Sequence, residues 1–125
     1  MRLIHAISYA VLGSIFCREF SVSAHDSDVP YAHWINSLMK PDFPLSSCCG
    51  VAEQYYVKEY RADHRKGIAF TATIVTHDGS SEFSIDVPEE KVIWNRPNPT
   101  GRGVIFIQDN DWVSQVVCFV PSHGA

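Results

Sequence analysis

The chain has 125 residues, room for one domain, and 46% of them are hydrophobic against 19% charged, which excludes a disordered polymer. A formal net charge of −4 and the lack of a Lys/Arg cluster exclude a nucleic-acid-binding face. The densest basic stretch, Arg61, His64, Arg65 and Lys66, has Asp63 inside it and reads as a solvated strand-to-strand turn.

Met1-Arg2 gives a short positive start, and Leu3 to Cys17 is a largely apolar run ended by Arg18 and Glu19. Its 15 residues fall short of the roughly 20 that a helix needs to cross the hydrocarbon core. Val22-Ser23-Ala24 then places small or short side chains where a signal peptidase reads. This is the pattern of a cleavable export signal. Residues 1–24 are therefore expected to be a leader, and residues 25–125 a single domain in the periplasm or outside the cell. A lipoprotein is not expected, because Phe16 and not a small residue precedes Cys17. No later stretch is long and apolar enough to span a membrane.

Cysteine usage fits the same compartment. Cys17 would leave with the leader, and Cys48, Cys49 and Cys118 would remain. In an oxidising compartment such cysteines are first read as structural. Cys118 is expected to pair with Cys49 or Cys48, closing a loop of about 70 residues worth about 4 kcal/mol in chain entropy. A vicinal Cys48–Cys49 bridge is disfavoured by geometry. One thiol is then odd, either buried or linking two chains in a disulfide-bonded dimer.

Past the polar lead-in His25-Asp26-Ser27-Asp28, Asp28 caps a helix starting near Pro30. Tyr31, Trp34, Ile35 and Leu38 recur at helical spacing on one face, with His33, Asn36, Ser37 and Lys40 on the other, and Pro41 stops the helix. Residues 41–50 read as a loop. Val51 to Tyr60 is strand-like. Ile68, Phe70, Ala72 and Ile74 alternate with threonines, and Phe83, Ile85 and Val87 alternate with Glu82, Ser84 and Asp86. The Asp78-Gly79 turn between them predicts a hairpin. Residues 88–91 read as one helical turn leading to Val92-Ile93-Trp94, and Asn95 to Gly103 as a loop. Val104 to Gln108 and Trp112 to Val120 are strands, with Cys118 expected on one face with Trp112, Ser114 and Val116. The fold class is mainly β in a small α+β domain. One N-terminal amphipathic helix packs on a five-stranded antiparallel rolled sheet or half-open barrel.

No Gly-x-Ser-x-Gly, His-Glu-x-x-His, glycine-rich phosphate loop or Cys-x-x-Cys occurs. His25, as a mature N-terminus, offers an α-amine and a ring nitrogen to copper(II), with a second ligand needed from His33, His64, His77 or His123. A cysteine nucleophile would use whichever of Cys48 and Cys49 escapes the disulfide. Trp34 and Trp112 read as core. Trp94, followed by Asn95-Arg96-Pro97, is expected at the rim of the longest loop, so Trp94 and Arg96 mark the partner surface.

Several features in order resemble a family of short exported proteins of rhizobia-like alphaproteobacteria. They are Ala24-His25-Asp26, the helix with Trp34 and Leu38, Cys48-Cys49, Val87-Pro88 before Val92, Asn98-Pro99, and Cys118-Phe119-Val120-Pro121. The resemblance covers most of the expected mature chain and lends no activity and no catalytic residue. It implies that some relatives carry a further cysteine near the position of Gln54, so that this chain has lost one partner. The reading favoured is a non-enzymatic exported module that binds a protein partner or serves the envelope. A copper protein using His25, or an enzyme with a free cysteine, are the alternatives.

Overall fold

The β-favouring residues Tyr55, Tyr56 and Val57 lie in the longest strand of the computed structural model, which describes residues 29–50, 52–110 and 113–122. The expected leader, Cys17, His25, Asp28, Trp112 and His123 lie outside the described residues. The chain runs α1 (Val29–Ser37), β1 (Met39–Lys40), β2 (Phe43–Ser47), β3 (Glu53–Ala62), β4 (Ile68–Val75) and β5 (Glu82–Pro88). A 3₁₀ turn (Glu89–Lys91), β6 (Val104–Asp109) and β7 (Ser114–Val120) complete it.

Five strands form one antiparallel sheet in the order β5-β4-β3-β6-β7. β3 divides its partners: residues 53–56 pair with β6 and residues 57–62 with β4. A register shift between Val57 and Glu59 marks the division, and others interrupt β4–β5 and β6–β7. Each such irregularity bends and twists a strand, so the sheet curls into a half-barrel. The expected mainly β architecture is present.

The curl sorts the apolar residues into two cores. Val57, Ala72, Ile74, Val87, Ile105, Ile107, Val116 and Phe119 fill the concave side. Ile35, Leu38, Cys48, Cys49, Ile93, Val104, Phe106, Cys118 and Val120 pack on the convex side of β6–β7. β6 is therefore buried on both faces, which explains its unbroken apolar run Val104-Ile105-Phe106-Ile107. Tyr60 packs edge-on against Phe70 and Phe119, and its hydroxyl accepts from the Ser122 amide at 2.9 Å, tying the chain's end to β3. The β4–β5 hairpin turns at Asp78-Gly79 as expected, with Gly79 at φ 76°.

Four expectations are corrected. The helix is short, and among its described side chains only Ile35 is buried, so it lacks the sharp two-faced pattern of an amphipathic helix. It ends at Ser37 and not at Pro41, because Leu38 turns into the convex core and its carbonyl accepts from the Cys48 amide at 3.0 Å. The loop expected over 41–50 contains β2, which pairs with β1 as a separate two-stranded sheet. In β7, Phe106 faces Cys118 while Ile107 faces Val116, a bulge that breaks the alternation. Cys118 therefore joins Val120 in the convex core, whereas Val116 faces the concave core and Ser114 is exposed.

The disulfide is Cys48–Cys118, with Cα atoms 5.8 Å apart and 70 residues of separation. This decides between the two expected pairings. Cys49 is disulfide-bonded as well, so the expected odd thiol is not left over among the described residues.

Candidate functional site

The 3₁₀ turn at Glu89–Lys91 delivers the chain to the open edge of β7. Val92 bridges Phe119 in parallel, and the Ile93 amide donates to the Phe119 carbonyl at 2.8 Å. Val92 then faces the concave core, Ile93 the convex core, and Trp94 emerges 51% exposed. Its ring lies 5.7 Å from that of Phe70. Arg96 turns back to α1: Nη2 donates to Ser37 Oγ at 2.8 Å and Nη1 to the Ser37 carbonyl at 3.5 Å. A guanidinium there satisfies a carbonyl left open by the helix end.

The two residues expected to share a partner surface therefore part. Trp94 rests on Phe70, while Arg96 joins a groove that sequence reasoning missed. Met39, Lys40, Pro41, Pro44, Ile93, Asn95 and Arg96 line it, enclosing about 310 Å³. One wall is the β1–β2 hairpin, which exposes Phe43 and Leu45 at 57% and 87% and, within the groove lining, Met39 at 40%. Phe43 and Leu45 are two apart on one strand and point the same way. Lys91 Nζ bonds Asp42 Oδ2 at 2.7 Å, clamping the hairpin tip to the 3₁₀ turn. That bond holds the Asp42 carboxyl below its ordinary range, with Lys40 adding to the effect. The one sequence signal for this site was Pro41-Asp42, a turn pair between two short apolar segments.

A second, more open groove of about 790 Å³ follows the division of β3, with Tyr56, Lys58, Tyr60, Arg102 and Ser122 in its lining. The Arg102 guanidinium sits 4.4 Å over the Tyr56 ring, so its charge is partly engaged.

The remaining candidates are dispersed. His25 is outside the described residues. Of its possible co-ligands, His33 is exposed on α1, His64 lies in the β3–β4 turn, and His77 Nε2 meets the Gln54 carbonyl at 2.9 Å with its ring stacked on Tyr55. Among the described residues no group of three His, Cys, Asp or Glu side chains converges as a metal would need. The expected cysteine nucleophile has no free thiol among them. No helix among them is long and apolar enough to cross a membrane.

Neither family models, nor curated proteins, nor solved structures match this chain.

Proposed function

We propose that the chain is an exported, non-enzymatic interaction module of the periplasm or cell envelope, acting through the β1–β2 hairpin and the groove beside it. The observation that carries the reading is the exposure of Met39, Phe43 and Leu45 together on one hairpin. Single apolar residues are ordinary at a protein surface, but three on one short hairpin beside a groove favour a contact site. The hairpin is also held in place, by the Cys48–Cys118 bond at its base and by Lys91–Asp42 at its tip. A preformed surface loses less entropy on binding than a mobile one. Export is supported by the leader-like N-terminus and by a disulfide, a bond that persists in oxidising compartments.

The test places a photo-crosslinking amino acid at Leu45 and, as control, at the exposed Ser84 on β5, in cells exporting the chain. The reading expects a discrete adduct from Leu45 that is lost when Phe43 becomes serine, and none from Ser84. Identical patterns from both positions would overturn it.

A further inference from the structure

We infer that the groove between the β1–β2 hairpin and residues 93–96 receives an extended peptide segment in which an acidic residue adjoins apolar ones; the inference rests on the interaction reading above. Its basis is the placement of charge. Lys58 holds Glu82 at 2.6 Å, Lys91 holds Asp42 at 2.7 Å, and Arg65 holds Asp63 at 2.8 Å and Asp86 at 2.6 Å. Lys40 and Arg96 line the groove, and neither meets a carboxylate within ion-pair distance among the described residues. The carboxylate beside the hairpin tip, Asp42, is committed to Lys91. A chain of net charge −4 thus keeps two half-buried cations together in a groove whose other walls are Met39, Pro41, Pro44 and Ile93.

That lining sets the ligand chemistry. A carboxylate between an ammonium and a guanidinium forms charge-assisted bonds, and apolar walls strengthen them by excluding water. The Arg96 bonds to Ser37 use part of its fork and leave further N–H groups for a ligand. Ile93, Met39 and the two prolines offer nothing to a charge and fit the apolar neighbours of the acidic residue. The side-chain amide of the exposed Asn95 supplies a donor and an acceptor to a peptide backbone. Phe43 and Leu45 expose further apolar surface on the same hairpin, within reach of an occupant longer than a single small acid. The cations sit in a concavity and not on the protruding hairpin face, which favours a peptide over an anionic membrane surface.

The test incubates the folded, unreduced protein with an array of short peptides varying in acidic and apolar content, with anionic phosphatidylglycerol vesicles, and with itself in sedimentation. Binding should concentrate on peptides with Asp or Glu beside Leu, Ile, Val or Phe. Lys40→Glu should weaken it by about tenfold and favour basic peptides, as expected for reversal of an interface charge. Lys58→Glu, on the other groove, should change nothing. Arg96→Gln is read only if its thermal transition matches the parent's, since it also loosens the end of α1; Lys40→Glu breaks no ion pair among the described residues. Equal binding by peptides without acids, or binding indifferent to Lys40→Glu, would overturn the inference. If the array is silent while vesicles or a second copy bind in a Leu45-dependent way, the peptide inference falls and the interaction reading stands. If Leu45 matters to neither and gives no cellular adduct, both fall.

Discussion

At the scale of single residues, Gly103 shows how closely the curl is fitted. A Cβ there would meet the Tyr60 ring at 3.2 and 3.3 Å and Val57 Cβ at 3.3 Å. These contacts are crowded and Val57 is buried, so the strand would have to give way. Gly103→Ala is expected to cost about 1–3 kcal/mol, read as a lower urea midpoint at unchanged slope. Charge gives a second prediction. The Asp78 carboxyl is held at about 2, chiefly by the Ser80 amide and hydroxyl and then the Thr76 hydroxyl, against an ordinary 3.8. Asp63 is held well below the usual carboxylate range by Arg65 and Thr71. A carboxyl lowered in the folded state is protonated first in the unfolded one. The stability it adds is full above the ordinary value and lost as pH falls through the folded one. The urea midpoint should therefore drop between pH 3.8 and about 2, and Asp78→Asn should flatten part of that drop.

At the scale of elements, the β4–β5 hairpin was legible because two alternating runs flank Asp78-Gly79, and each cue agrees with its neighbour. β6 was legible as an apolar run, although the run alone could not say that both faces are covered. The β1–β2 hairpin was hidden because residues 41–47 include two prolines, an aspartate and two serines, and few β-formers. Ties from elsewhere hold it: the Cys48 disulfide, the Lys91–Asp42 pair and the Cys48 amide on the Leu38 carbonyl. The face of Cys118 was misread because a bulge opposite Phe106 leaves no mark in residue order. Of the expected partner pair, Trp94 is exposed as expected, and Arg96 was placed in its groove by chain reversal that no local pattern encodes. Burial separates these elements by experiment. Phe106→Ala should cost about 3–5 kcal/mol as a fully buried aromatic. Leu45→Ser, at 87% exposure, should stay within about 0.5 kcal/mol while altering association. Parallel denaturation and sedimentation of the two variants distinguish a core residue from a contact residue.

At the scale of the molecule, the disulfide joins the base of the hairpin to the last strand across 70 residues. It therefore fixes the proposed contact surface to the half-barrel as well as closing a long loop. In the chain-entropy account such a closure is worth about 4 kcal/mol. Cys118→Ser should lower the urea midpoint accordingly, and reduction should lower it at least as far, since it also opens the bond at Cys49. The same bond links fold to compartment, since it forms and lasts where the environment oxidises. The most direct test of the proposed disulfide-stapled, exported domain takes protein from cells expressing these 125 residues, caps free thiols, and maps it without reduction. The expected map has His25 as the first residue and a peptide pair joined through Cys48 and Cys118. Protein that keeps residues 1–24, or carries capped thiols at Cys48 and Cys118, would contradict it.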